Sequence, residues 1–390
     1  MILTNKQARQ FLLRRHGLLG ERIYKSKNGV MKFIRRVGCV QFDPVDICGR
    51  TADITLHSRV EGYKKQMLDI LLYKERRLID FFDKNLSIFP VEDLAVFRQE
   101  HIKDGYAEAF DERGGDAVRQ IMPLIRTLIK ERGFLSAKDV EVDKKIIWHW
   151  GTVTSLPRAA LESMYFRGEL IIHHKTGTNK SYAFAEDHIP ENILNAPSPF
   201  KNEDERLAWH VKRRIGAVGM LWNRASDAFL GLSLKAEQRT AAFKKLLADD
   251  GIFEVFVKGI KEPLYILKDE LALAEDVLRA EKYPPRIEFI APLDNLLWDR
   301  RLIEVLFGFV YRWEIYTPKE KRKYGAYTLP ILYDDSFIGR ADFARKDGIL
   351  FINNIWTESG KSLQGRIKAA FNECAKRFAD LNECGNYLCV

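Results

Sequence analysis

The chain has 390 residues, with 63 basic against 54 acidic side chains for a formal charge of +9, and 46% of its residues are apolar. That length exceeds one ordinary domain and that apolar fraction suffices for packed cores, which excludes a disordered or low-complexity chain. No apolar run approaches a membrane span, and the start Met-Ile-Leu-Thr-Asn-Lys has neither an apolar stretch nor a small-residue cleavage site, so a cytoplasmic protein without a membrane partner is expected. The five cysteines, Cys39, Cys48, Cys374, Cys384 and Cys389, are odd in number and form no C-x-x-C pair, and no histidine cluster has ligand spacing. Neither a disulfide framework nor a metal site is expected, and no cofactor is called for. The positive excess fits a polyanionic partner and equally an ordinary soluble protein.

Along the chain, the first block predicts helices over Asn5 to His16 and Val30 to Val37, an irregular stretch to Tyr63, and helices from Lys64 to Leu72 and from Glu75 onward. The second block is clearer. Val118, Ile121, Leu124, Ile125, Leu128 and Ile129 stand at helical spacing over Asp116 to Arg132, ended by Gly133, with Pro123 as an alternative first turn. A short helix follows from Ser136, and a third opens at Ser155 and Pro157 and runs to Gly168. Strands Glu169 to His174 and Ser181 to Phe184 come next, joined by Thr176-Gly177-Thr178-Asn179. The third block repeats the order: helices Asp204 to Leu221, Arg224 to Leu230 and Lys235 to Asp250, then strands Ile252 to Val257 and Pro263 to Leu267.

Helix, helix, helix, two strands is the element order of a winged helix, a module that binds duplex nucleic acid through its third helix and wing, although many copies serve only as scaffolds. Linkers are predicted at Gly105 to Gly115, Ile189 to Asn202 and Pro284-Pro285. Beyond Pro285 the pattern changes to short strands, Tyr311 to Tyr316, Tyr327 to Leu332, Phe337 to Asp342 and Gly348 to Asn353, with a closing helix Ser362 to Leu381. The expected fold is α+β: winged helices over residues 1–108, 109–195 and 196–283, then a small β-barrel-like domain with a terminal helix over 284–390.

The segment Val37-Gly38-Cys39-Val40-Gln41-Phe42-Asp43-Pro44-Val45-Asp46 sets polar groups in apolar surroundings. Val40 is β-branched and Pro44 disfavours helix at Asp43, so the stretch is predicted extended, with Gln41 and Asp43 on one face and Phe42 on the other. An amide and a carboxylate so placed can orient a water and accept its proton, which suits hydrolysis at a carbon developing positive charge. A Gln-x-Asp tripeptide arises by chance about once in a chain of this length, and the competing reading makes Asp43-Pro44 a turn with Gln41 solvated.

The surrounding residues weigh on that choice. Gly38 to Arg50 with Ser58-Arg59, Phe81 to Pro90, Ala160-Leu161-Glu162 through Arg167-Gly168-Glu169-Leu170, Ala291-Pro292-Leu293-Asp294-Asn295-Leu296-Leu297-Trp298-Asp299-Arg300, Leu306-Phe307-Gly308-Phe309, and Lys321-Arg322-Lys323-Tyr324-Gly325 with Gly339-Arg340 recur in order over nearly the whole chain. In these blocks the sequence resembles the YcaQ/AlkZ family of winged-helix DNA glycosylases. The resemblance implies an enzyme that excises N-alkylated purines and unhooks interstrand crosslinks, built from three tandem winged helices and a barrel-like domain around a DNA channel. It implies double-stranded DNA carrying alkylated purines or crosslinks as partner, and a nucleoid-associated location. Gln41-Phe42-Asp43 matches the Gln-x-Asp signature of the YcaQ branch, not the Gln-x-Gln of the AlkZ branch.

On this reading Asp43 stabilises the oxocarbenium-like sugar and acts as general base, and Gln41 orients the water. Many relatives carry paired histidines just after the position of Arg50, where this chain has Thr51-Ala52-Asp53, and a His-Glu-Ala-Ser block where it has Lys84-Asn85-Leu86-Ser87. Both departures leave Gln41 and Asp43 without an evident helper. Lys321, Arg322, Lys323 and Tyr324 are candidate phosphate contacts, against a solvated basic turn. Arg50 and Arg59 are candidates for phosphate or site-wall contact, against internal pairing with Asp46 or Asp53. His173, His174 and Lys175 on the second wing read as solvated strand residues or as DNA contacts. The alternative class is a non-enzymatic winged-helix regulator or damage-recognition protein, and with three modules in one chain a monomer is expected.

Overall fold

The computed structural model describes residues 1–103, 115–148, 151–279 and 282–390. The chain forms two compact units, one of residues 1–68, 83–88 and 202–390, the other of 69–82 and 89–201. The expected linker up to residue 114 and the expected boundary at 108/109 lie outside the described residues.

In the first unit, helix Asn5–Arg15 begins at a capping box: Thr4 Oγ1 accepts from the Gln7 N–H at 3.2 Å, and the Gln7 side chain accepts from the Thr4 N–H at 2.9 Å. Helix Ser26–Val37 starts four residues before the expected point and ends at Gly38. The stretch read as irregular holds a short strand, Val40–Gln41, and helix Thr51–His57. Helix Glu203–Val218 is capped by Asn202 and opens with three acidic residues that suit the positive end of its dipole. Its buried face includes Leu207, Val211, Ile215 and Val218, each of which stabilises by about 1.5–3 kcal/mol on leaving water. The helix expected over Arg224 to Leu230 is reduced to a single 3-10 turn, Asp227–Phe229, begun by Ser226 accepting from the Ala228 N–H and preceded by strand Leu221–Trp222. Helix Ala236–Ala248 and strands Ile252–Val257 and Leu264–Leu267 follow. Strand Ile2–Leu3 lies parallel to Ile252–Val257, so the start of the chain completes a four-stranded sheet with this block.

The last part of the first unit is a five-stranded sheet in the order Ile287–Phe289, Thr328–Tyr333, Ser336–Lys346, Ile349–Thr357, Asn386–Cys389. Among the described residues this order is open, where a barrel-like closure was expected. Helix Gly365–Leu381 lays Phe371 and Phe378 on it, with Phe289 5.5 and 5.4 Å from their rings. The strand expected over Tyr311 to Tyr316 is irregular, because the Glu314 carboxylate folds back to accept the N–H groups of Lys323 and Tyr324 at 2.9 and 2.8 Å.

In the second unit, helix Gly115–Arg132 carries Pro123 inside it, since Val118, Ile121, Met122, Ile125 and Ile129 bury one continuous face whose packing outweighs the lost hydrogen bond. A strand Leu135–Ser136 and a 3-10 turn Ala137–Asp139 with a capping box stand where a short helix was expected. Helix Leu156–Phe166 begins after Ser155 with proline in its first turn, as expected. Strands Leu170–Thr176 and Asn179–Phe184 pair antiparallel with Thr176 opposite Asn179, which leaves Gly177-Thr178 as a two-residue turn. The helix expected from Glu75 onward is replaced by strands Leu78–Asp83 and Asn85–Pro90, of which residues 83–88 belong to the first unit, followed by helix Leu94–Lys103. Asn85, at φ +55°, makes the sharp reversal between those strands.

Gly339 tests the sheet of the first unit. A Cβ there would meet the Trp356 carbonyl oxygen at 2.2 Å, inside the antiparallel pair. Gly339→Ala is expected to destabilise by roughly 1–3 kcal/mol, seen as a lower urea midpoint with an unchanged slope.

Candidate active site

All residues of this site belong to the first unit. Strand Val40–Gln41 pairs antiparallel with Ser87 and Ile88, Val40 opposite Ile88 and Gln41 opposite Ser87, and the Phe42 N–H extends the ladder to the Leu86 carbonyl at 2.9 Å. This register sets Gln41 beside Lys84. The Lys84 Nζ donates to Gln41 Oε1 at 3.1 Å and lies 4.7 Å from the centre of the Trp298 ring. Both side chains are nearly removed from solvent, at 7% and 4% exposure. Burial, reinforced by the nearby Arg214 charge, lowers the Lys84 ammonium to about 8.

Buried polar groups hold this segment from three sides. Asp83 accepts from Arg213 Nε at 2.7 Å and from Arg214 Nη1. Burial alone would raise the Asp83 carboxyl, yet the two guanidinium groups hold it well below the usual carboxylate range. Arg213 also donates to the Gly38 carbonyl at 2.9 Å. Gly38 sits at φ +78°, and a Cβ there would meet the Arg213 side chain at 3.3 Å, so both conformation and space call for glycine. From the C-terminal part, Asn295 Nδ2 donates to the Cys39 carbonyl at 2.9 Å, and Trp298 is fixed by its own N–H to the Leu293 carbonyl at 3.0 Å.

Asp43 is half-buried and follows the end of the strand. Its Oδ1 accepts from the Val45 N–H at 2.9 Å, the turn that competed with the site reading, while Oδ2 accepts from the Tyr316 hydroxyl at 3.2 Å. Among the described residues no Lys or Arg forms an ion pair with it. Tyr316 is 74% exposed and packs edge-on against Trp313, ring centres 5.7 Å apart. Gln41 itself is not solvated, contrary to the other half of the competing reading.

The remaining sequence candidates divide. Arg59 is fully buried, donates twice to Asp294 at 2.8 and 2.6 Å and lies over the Phe33 ring, so it stands away from any surface contact, and its partner is neither Asp46 nor Asp53. Arg50 binds Asp53, which also accepts from the Tyr63 hydroxyl at 2.7 Å. Asp46 instead caps its own loop by accepting from the Gly49 N–H at 3.0 Å. Lys321 and Lys323 are exposed. Arg322 turns back to the carbonyls of Thr317 and Ile315 at 2.8 and 3.2 Å, and the Tyr324 ring is covered by Arg340 at 4.3 Å. In the second unit, His173 and His174 share a 2.8 Å contact between their Nδ1 atoms, and Lys175 is tied to Asp80 at 2.6 Å rather than solvated. Lys84, Trp298 and Tyr316 were not singled out as site residues. Lys84 stood out in the sequence only as a departure from the relatives' histidine, Trp298 only within a recurring block, and nothing local marks Tyr316.

The chain matches the family model described as "DNA glycosylase AlkZ-like" over residues 34–381. The chain belongs to the AlkZ-like DNA glycosylase family. It is thereby placed among enzymes that act on DNA, and the matched residues include Gln41, Asp43, Lys84 and Tyr316. Among solved structures it is similar to the Streptomyces sahachiroi DNA glycosylase AlkZ, at 15% identity and a TM-score of 0.62 with 100% of each chain covered. That likeness is one of fold, a mixed α+β architecture, over the full length of both chains.

Asp83→Asn removes the anion between two buried arginines, and a loss of about 3–5 kcal/mol is expected at pH 7. A carboxylate depressed in the folded state stabilises above its unfolded value of about 4 and ceases to do so as pH falls further. The gap between wild type and Asp83→Asn in urea denaturation should therefore narrow steadily below about pH 4.

Proposed function

We propose that this protein is a monofunctional DNA glycosylase that hydrolyses the N-glycosidic bond of cationic N-alkylpurines and unhooks interstrand crosslinks. One observation carries the reading: a buried amide, Gln41, with its carbonyl end taken by Lys84, two residues from the half-buried carboxylate of Asp43. The amide's N–H₂ end is then the one left to donate to a water oxygen, and Asp43 accepts that water's proton as it attacks the anomeric carbon. An N7- or N3-alkylpurine is already cationic in the substrate and departs as a neutral base with the bonding electron pair, so protonating it contributes little. The larger demand is a negative charge close to the developing oxocarbenium ion, which Asp43 supplies.

A crosslinked base stays tied to the opposite strand and cannot swing fully out of the duplex. A carboxylate that is half-buried and bonded to an exposed tyrosine suits a site that meets DNA at its surface. We further read residues 1–108, 109–195 and 196–283 as three winged-helix segments and 284–390 as the β-rich domain. The order helix, turn, helix, two strands in the second unit and the strands after helix Ala236–Ala248 support this. Gln41 and Asp43 are the proposed catalytic pair, and Lys321 and Lys323 the proposed phosphate contacts. Arg50, Arg59, Arg322 and Tyr324 are assigned to holding the scaffold, since each is already engaged inside the protein.

Release of 7-methylguanine from methylated duplex tests the reading. Asp43→Asn should lower the single-turnover rate by roughly 100-fold or more, and Gln41→Ala by less, with duplex binding kept in both. Unchanged release by Asp43→Asn would remove the assigned chemistry, and no release by the wild type from any alkylated duplex would favour a non-enzymatic binder. Replacing Lys321 and Lys323 together by alanine should weaken duplex binding and flatten the dependence of log K on log salt by about 2, with the melting temperature unchanged.

A further inference from the structure

Lys84 occupies the reversal between strands Leu78–Asp83 and Asn85–Pro90, held there by Asp83 on one side and by Ser87 Oγ, which donates to the Lys84 carbonyl at 3.0 Å, on the other. An ammonium at 4% exposure is unfavourable unless its hydrogens are used. One reaches Gln41 Oε1 and the charge rests over the Trp298 ring. The two ends of a glutamine amide are nearly equal in size, so packing alone does not choose between them. An ammonium can only donate and therefore accepts only the carbonyl end as its partner.

Resting on the hydrolytic reading above, we propose that Lys84 is a positioning residue that locks the Gln41 amide with its N–H₂ end free to hold the attacking water. Lys84 stays out of the reaction itself, neither touching the sugar nor bonding to it. Its charge state then matters. As an ammonium it enforces one orientation, whereas a neutral amine also offers a lone pair that can accept from the N–H₂ end, so the amide is no longer held with that end free. Burial and the charges facing Lys84 set where that change falls. Arg214 and Arg300 oppose its proton, Asp227 favours it, and the balance lies at about 8.

The experiment is a double-mutant cycle on the full chain, with single-turnover release of 7-methylguanine followed from pH 6 to 9. Lys84→Met keeps most of the length and leaves an apolar end beside Trp298 but removes the charge and the donor. It should lower the rate roughly tenfold to a hundredfold with substrate binding unchanged. Wild type should lose rate above about pH 8, Lys84→Met should lack that alkaline fall, and Lys84→Met should add nothing in a Gln41→Ala background. Additive losses in the cycle, or an alkaline fall that persists in Lys84→Met, would overturn the proposal, as would a borohydride-trapped adduct between DNA and Lys84. If Lys84→Met does not fold, the wild-type and Gln41→Ala pH profiles decide, because the fall must vanish with the amide. Gln41→Ala with an unaltered rate at every pH would defeat the hydrolytic reading and this proposal together. A Gln41→Ala loss with additive Lys84→Met losses defeats this proposal alone.

Discussion

A carboxylate taken out of water needs positive charge at once, and the burial of Asp83 between Arg213 and Arg214 is the constraint from which the site descends. Two consecutive arginines of one helix converge on one acid, and that acid precedes Lys84. One of them reaches on to the carbonyl of Gly38, two residues before the Val40–Gln41 strand. The same helix thereby sets both the turn that carries the lysine and the strand that carries the glutamine. Without the acid, two buried cations would be left facing each other, and neither segment would keep its place.

The arrangement is one of graded solvent access. Asp83, Lys84 and Gln41 are buried, Asp43 is half-buried, and Tyr316 stands largely in water. Buried members keep a fixed geometry because each hydrogen bond is stronger where water cannot compete, and unfulfilled groups there are costly. The half-buried member can meet a ligand as large as duplex DNA. Membership of a DNA glycosylase family fits this gradient, since a glycosylase needs preorganised polar groups at a place that a polymer can reach.

The charged residues show how far residue type alone can mislead about role. Arg50, Arg59 and Arg322 carry the charge a phosphate contact needs, yet each is satisfied within the protein: by an acid three residues on, by an acid of a distant segment, and by backbone carbonyls. Lys321 and Lys323, in the same basic run as Arg322, remain exposed. A guanidinium has five donors in a rigid fork and readily clips together backbone carbonyls, whereas a lysine on a flexible stem stays hydrated, so a mixed basic run tends to divide in this way.

Local pattern sufficed for the helix start at Ser155 and Pro157 and for the two-residue turn at Gly177-Thr178. These depend on neighbours within a few positions, where backbone sterics and short hydrogen bonds dominate. The strands after Leu78, read as helix, and the irregular run Tyr311 to Tyr316, read as strand, depend on what each segment packs against or folds back to. The partners of the site residues lie farther still, with Lys84 43 positions from Gln41, Asp294 235 from Arg59, and Tyr316 273 from Asp43. The sequence by itself determined which groups capable of the chemistry exist and much of the local backbone that bears them. Tertiary structure alone decided which of those groups meet, because a hydrogen bond or ion pair between distant segments forms only where packing has already brought them together and excluded water.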